Sequence, residues 1–271
     1  MTAAAELPAQ WERVLHYEAA VDIITSLMAQ CTAVEWLAER ADDVVVRHDM
    51  RSLRRAYLAE LTELAPRNTT AVARAIRYYG TTLAGKVEAP RLHLPARDEL
   101  PACRLDRATH AAVFRDRIAL ETLGAPHPRE RPMAVILTGP PGSGKTTALR
   151  CRYHSWDDAA PVLIDPGIYP AFHPRSWDLV RADDARAGDT VEADVLEWVA
   201  MAVDYSIGHR NDVLLAVGTR RPGDADAYAA GFRNAGYLVE REALAVPEAV
   251  SDHSLTLRHH CRRGNWPVLN V

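Results

Sequence analysis

Nine consecutive residues carry the clearest chemistry in the chain: Gly139, Pro140, Pro141, Gly142, Ser143, Gly144, Lys145, Thr146 and Thr147. They spell G-x-x-x-x-G-K-[ST] and follow directly on Met133-Ala-Val-Ile-Leu-Thr138, an apolar run of strand length. Glycines at this spacing let backbone N–H groups wrap a phosphate, and the helix that follows adds the positive end of its dipole. In such a loop Lys145 bridges the β- and γ-phosphates as a point charge, and the Thr146 hydroxyl completes a Mg²⁺ shell. The loop therefore predicts ATP and Mg²⁺ as cofactors, while leaving the reaction open.

What separates kinases, GTPases and motor ATPases lies in the other loops at the carboxyl ends of the strands. No N-K-x-D guanine-reading sequence is present, and the run Val213 to Val217 ends without the Asp of a Walker B strand. A kinase of small substrates is favoured over both other classes. The apolar run 161–165 ends at Asp165, one loop away from the phosphate cradle. A carboxylate there can accept the proton of a substrate hydroxyl or join Thr146 in holding Mg²⁺. Asp before Pro-Gly is also common turn chemistry.

These residues need a scaffold, and the patterning supplies one. Strands are predicted at 133–138, 161–165, 212–217 and 237–245, alternating with helical patterns at 145–153, 190–207, 223–235 and 247–260. That alternation implies parallel βα units, hence a three-layer α/β domain of P-loop type. Ahead of it, apolar residues recur every three or four positions from Leu7 to about Arg40, a long helix or two collinear ones. Two more helices are expected at 49–65, with Asp49 as N-cap, and at 68–84, opening at Asn68 and fading at Gly85. The stretch 89–104 holds three prolines and reads as a linker. The predicted organisation is an all-α helical domain over 1–104 and the P-loop domain over 105–271.

Composition narrows the function classes. With 271 residues, 48% apolar and 25% charged, the chain has a soluble globular make-up. A net charge of −4 and a pI near 6.3 disfavour a nucleic-acid or anionic-membrane partner. No run is long and apolar enough to span a bilayer, and no targeting segment opens the chain, so a cytoplasmic location is expected. Cys31, Cys103, Cys151 and Cys261 lack metal or disulfide spacing and read as free thiols. His259-His260-Cys261 points to different helix faces and does not read as a metal site. Of 32 basic residues only Lys86 and Lys145 are lysines, which singles out the cradle lysine against an arginine background.

Four segments in order, TGPPGSGKTT at 138–147, VLIDPGIYPAFHP at 162–174, LLAVGTRRPGDADAYAAGFRNAGYLVE at 214–240 and ALAVPEAVSDHSLTLR at 243–258, resemble the zeta toxin family. The family consists of P-loop kinases of toxin–antitoxin systems, associated with phosphorylating UDP-N-acetylglucosamine or related nucleotide sugars. The resemblance spans roughly residues 105–260. It implies that Lys145 and Thr146 serve phosphate and Mg²⁺, that Arg258 contacts ATP phosphates, and that the acceptor is a hydroxyl of a small metabolite. It also implies an antitoxin partner, a role that three helices in cis could replace. Three departures stand out. Gly167 occupies the position of the family's acidic base, Val217 that of its substrate-binding Glu, and the chain stops short of a lid Arg for which Arg262 or Arg263 would have to substitute. The two function classes are accordingly a phosphotransferase checked by its N-terminal helices, and a non-catalytic nucleotide-binding sensor or interaction module.

Overall fold

The computed structural model describes residues 9–88, 104–157, 159–182, 187–219 and 223–262. The linker 89–103 with Cys103, Asp158, the Asp183-Asp184 pair and Arg263 lie outside the described residues.

Four strands form one parallel sheet: β1 (Met133–Gly139), β2 (Val162–Ile164), β3 (Val213–Gly218) and β4 (Leu238–Ala243), in the order β2-β3-β1-β4. The register places Ile136 beside Leu215 and Gly139 beside Gly218, so β1 and β3 end level at the phosphate loop. Side chains of a strand alternate between faces. Ala134, Ile136, Val213, Leu215, Val162 and Ile164 join the larger core, while Val135, Leu137, Leu214 and Ala216 pack with Leu149 on the opposite face. Helices α6 (Lys145–His154), α8 (Ala187–His209), α9 (Asp224–Asn234) and α10 (Glu248–Arg262) provide the crossovers and the final helix. The expected three-layer α/β architecture is present.

The N-terminal patterning gives α1 (Ala9–Arg40), α2 (Val44–Glu63) and α3 (Thr69–Glu88). Helix α1 is one unbroken helix rather than two. Helix α2 starts five residues earlier than expected, because Asp43 rather than Asp49 is the N-cap, its side chain accepting from the Val46 N–H. Helix α3 runs through Gly85 to Glu88; a single glycine costs a helix only about 1 kcal/mol. A further helical segment, α4 (Arg107–Val113), a π-helical turn (Phe114–Ala119) and α5 (Leu120–Thr122), leads towards β1, and α7 (Ser176–Ala182) follows a 3₁₀ turn at Tyr169–Phe172.

Helix α1 is central rather than peripheral. Tyr17, Ile23, Ile24, Leu27 and Met28 are fully buried in the same core cluster as Ile164, Phe172, Trp198 and Leu257. Besides α2 and α3, α1 packs on α6, α7, α10 and the 3₁₀ turn. The Thr32 hydroxyl donates to the Ala171 carbonyl at 2.7 Å. A buried ion network completes the junction: Arg54 of α2 bonds Glu35 of α1 and Glu121 of α5, the latter through Nη2 at 2.7 Å, and Arg117 reaches Glu35 at 3.6 Å. Burial pushes the Glu35 carboxyl up, but Arg54 and Arg117 outweigh it and hold it below the ordinary range.

Removing the fully buried Arg54 takes the shortest ion pair from both Glu35 and Glu121, leaving them to Arg51, Arg117 and Arg55, and should cost about 3 kcal/mol in Arg54→Leu. The Arg115–Asp116 pair is exposed and screened by solvent, so Arg115→Ala should leave stability essentially unchanged. Urea denaturation of both variants checks the contrast; equal costs would contradict it.

Candidate functional site

The phosphate loop joins β1 to α6 with two residues in the left-handed region, Gly142 at φ +75° and Gly144 at φ +80°. A Cβ at Gly142 would stand 2.6 Å from the Ser251 carbonyl oxygen, so the loop can close against α10 only as glycine. The Lys145 Nζ donates to the carbonyls of Gly139 and Pro140, at 2.8 and 2.7 Å, and is thereby held across the mouth of the loop. The Ser143 hydroxyl is buried and has no hydrogen-bond partner.

A cavity of about 310 Å³ opens at the loop and is lined by Ser143, Lys145, Thr146, Asp165 and Arg258 among others. The structure thus brings together the lysine, hydroxyl, carboxylate and arginine singled out from the sequence. Asp165 is buried; its Oδ1 accepts from the Gly167 N–H at 2.9 Å, while Oδ2 has no partner. Both the turn role and a free carboxylate oxygen are therefore realised in one residue. An added Cβ at Gly167 would lie 3.1 Å from Asp165 Oδ1 and 3.6 Å from Thr146 Oγ1, so a side chain there would start beside both oxygen atoms. Val217 is buried and contributes only apolar surface to the cavity. Val191, Val195 and Val199 of α8 extend this apolar wall, while Glu192, Asp224 and Tyr228 add polar groups to the lining. Trp177 lies in the core, and Trp156 packs on the smaller cluster behind β1.

Two further residues complete the site, and neither was singled out from the sequence. Glu18 of α1 accepts from the Thr147 N–H at 3.1 Å and from the Thr147 hydroxyl at 2.8 Å. Thr147 stands in the first turn of α6, where backbone N–H groups lack intrahelical partners and attract anions. One turn along α1, Asp22 takes Arg258 in a two-pronged pair, Nε to Oδ2 at 2.6 Å and Nη2 to Oδ1 at 3.1 Å. Arg258 Nη1 also lies 3.8 Å from Glu18. Val14 caps the arrangement, its Cγ1 being 2.9 Å from where a Gly144 Cβ would be. The signal available in the sequence was a pair of acids spaced i, i+4 within an otherwise apolar stripe, His16-Tyr-Glu-Ala-Ala-Val-Asp-Ile-Ile24.

Charge is finely balanced here. Burial pushes the Glu18 carboxyl up, opposed by Arg258 and the Thr147 hydrogen bonds. Asp22 holds the Arg258 guanidinium firmly in its charged form. Burial brings the Lys145 ammonium down to about 8, against the upward pull of Glu18 and Asp165.

An all-parallel sheet with this loop between β1 and α6 defines a P-loop α/β protein. The zeta toxin family model matches residues 117–265, just over half of the chain, and the chain belongs to that family. Its fold is similar to a solved structure from the PezAT chromosomal toxin–antitoxin system of the human pathogen Streptococcus pneumoniae, with a TM-score of 0.51 and 19% identity. That similarity covers 59% of this chain and 66% of the other. No curated protein matches the sequence. Among the described residues no helix is long and apolar enough to cross a membrane.

Because Lys145 titrates near 8 in the folded chain and near 10.5 unfolded, the unfolded state holds its proton more tightly. Its contribution to stability therefore rises with pH between those values and is lost as pH falls through 8. The unfolding free energy of the native chain relative to Lys145→Met should increase by roughly 1–3 kcal/mol from pH 7.5 to 10.5. Denaturation across that range would contradict this if the difference stayed flat.

Proposed function

We propose that the protein is an ATP/Mg²⁺-dependent phosphotransferase whose nucleotide site is covered by its own helix α1. The observation that carries this reading is the Glu18 carboxylate on the first turn of α6, with Asp22 holding Arg258. A carboxylate there takes the same donors that a phosphate would take. In zeta systems a separate antitoxin blocks the nucleotide pocket; here the covering helix belongs to the same chain, although a further protein partner is compatible with it.

The donor set suits the cofactor. Thr146 Oγ1 and the unpartnered Asp165 Oδ2 are hard oxygen ligands of the kind Mg²⁺ prefers, and the cation would neutralise charge on the phosphates. Lys145 and Arg258 would hold the phosphates and offset charge on the transferring group. The acceptor would be a hydroxyl of a small metabolite, of the nucleotide-sugar class that the family suggests, seated against the wall of Val191, Val195, Val199 and Val217. The three N-terminal helices then form the regulatory part of the chain and residues 105–271 its kinase part.

Substitution tests this better than truncation, since deleting α1 would strip the core of Tyr17, Ile24 and Leu27. The double variant Glu18→Gln/Asp22→Asn removes both charges while keeping shape. Its affinity for ATP with Mg²⁺ should rise at least about tenfold over the native chain by calorimetry, a gain of some 1.4 kcal/mol. Unchanged affinity would remove the covering role. Radiolabelled phosphate should pass from ATP to at least one acceptor in a panel of nucleotide sugars and other small alcohols, and Lys145→Met should abolish that transfer.

Gly167 favours the second reading, a nucleotide-binding sensor, because the side chain nearest the cation position is missing. Tight ATP binding by the double variant with no labelled product would support the sensor. If transfer occurs, adding Gly167→Asp should speed it by roughly 10² through a restored base. No acceleration would mean that position 167 does not face the acceptor.

A further inference from the structure

A second cavity, of about 270 Å³, lies between α6, edge strand β2, the segment following α5, and α2. Arg150 of α6 is part of its lining and is only 1% exposed. Its Nε and Nη1 have no hydrogen-bond partner, and no carboxylate among the described residues forms an ion pair with it. A guanidinium never loses its proton in a protein, so this is a permanent buried charge. An isolated charge in the interior costs several kcal/mol unless a counter-charge meets it.

The carboxylates around the cavity have other commitments. Glu121 is taken by Arg54 at 2.7 Å and Arg55 at 3.4 Å. Asp212 holds Arg129 and the Met133 N–H. Asp165 spends Oδ1 on the Gly167 N–H. Further unsatisfied atoms of the lining residues include Asp165 Oδ2, an acceptor, and Asn211 Nδ2, a donor whose companion Oδ1 accepts from the His127 N–H at 2.8 Å. The cavity therefore offers the Arg150 guanidinium, the Asn211 Nδ2 donor and the Asp165 Oδ2 acceptor, with Leu58, Tyr153 and Leu163 supplying apolar walls.

We infer that this cavity is a binding site for a small metabolite bearing a carboxylate or phosphate group, which pairs with Arg150 and Asn211, and a hydroxyl or amino group, which donates to Asp165. A volume just under the usual range for ligand sites fits a metabolite of amino-acid or phosphosugar size. A guanidinium suits carboxylate and phosphate equally, through its fork of donors. The site is distinct from the phosphate loop, sharing only Asp165 with the nucleotide cavity, and it stands whether or not the protein transfers phosphate.

Thermal unfolding of the full chain with millimolar inorganic phosphate, L-serine, O-phosphoserine and glucose 6-phosphate tests the inference and separates the two anion classes. At least one probe should raise the midpoint by 2 °C or more, on the order expected of a ligand well above its Kd. That shift should disappear in Arg150→Met, which replaces the charge by an apolar chain of similar length. It should also disappear in Ala160→Leu, which fills the cavity from an exposed lining position and leaves the charge and the core untouched. Lys145→Met should keep it. A shift that survives Arg150→Met but vanishes in Lys145→Met would place the anion at the phosphate loop and overturn the site. So would the absence of a shift with every probe.

Discussion

The free N–H groups at the start of a helix bind anions regardless of whether these arrive as phosphate or carboxylate. In this chain Glu18 takes that place on α6, and the arrangement around the phosphate loop depends on it. Four charged groups, Glu18, Asp22, Lys145 and Arg258, lie close together with restricted access to water, and each is tolerable because of the others. Asp22 keeps Arg258 charged, Glu18 opposes the downward effect of burial on Lys145, and Arg258 opposes the upward effect of burial on Glu18. A polyphosphate entering the cavity would bring negative charge into a site whose positive charges already have partners. On the proposed reading, nucleotide access would be an exchange of anions, with the protein's own carboxylates as the resident ones.

The carrier of those carboxylates constrains how the exchange can happen. Helix α1 is also the centre of the apolar core, and its outer face is joined to α2 and α5 through Glu35, Arg54 and Glu121. Releasing the whole helix would expose five fully buried large side chains and break a buried ion network, a cost comparable to the stability of a typical domain. A dissociable inhibitor can leave intact, whereas α1 cannot. What can move at modest cost is local: rotation of the Glu18 and Asp22 side chains, or a shift of the first turns of α1 around Val14. An attached inhibitor also acts at a high effective concentration that dilution does not reduce.

Much of this could be read in the sequence, for reasons that differ between parts. Strands β1, β2 and β3 were legible because each is a short, continuous apolar run. Edge strand β4, with Glu240, Arg241 and Glu242 in its middle, was legible from its place in the alternation with helices, which also fixed the parallel sense. The phosphate loop was legible because glycines, Lys145 and Thr146 are each demanded by geometry or charge. The start of α2 was not, since Asp43 and Asp49 are both competent caps and the sequence does not show that Asp43 is the one whose side chain accepts from the helix, at the Val46 N–H. The placement of α1 was not either. Periodicity shows that a helix has an apolar stripe without showing what covers it, so three helices read as a self-contained bundle. Glu18 and Asp22 disappeared into that stripe because an acid among Ala, Val and Ile has no partner visible in sequence. Its partners, Thr147 and Arg258, lie 129 and 236 residues away.

Asp165 brings the remaining chemical question into focus, because a carboxylate has two oxygens and this one has already used the first. With Oδ1 already accepting from the Gly167 N–H, Oδ2 is the oxygen without a partner, the one freest to meet a cation, an acceptor hydroxyl or the ligand of the neighbouring cavity. It cannot hold a cation and take a substrate proton at once. Gly167, which could have shared the work, has no side chain, and its close approach to Asp165 means that a carboxylate there would crowd a like charge. Phosphoryl transfer is nevertheless the reaction that best survives such a loss. Its transition state is stabilised mainly by positioning and by positive charge around the phosphoryl oxygens, both of which Lys145, Arg258 and the loop N–H groups can provide. On the proposed reading the absent base argues for a slow reaction rather than for none, with the pairing of Arg258 to Asp22 as a second restraint on the site.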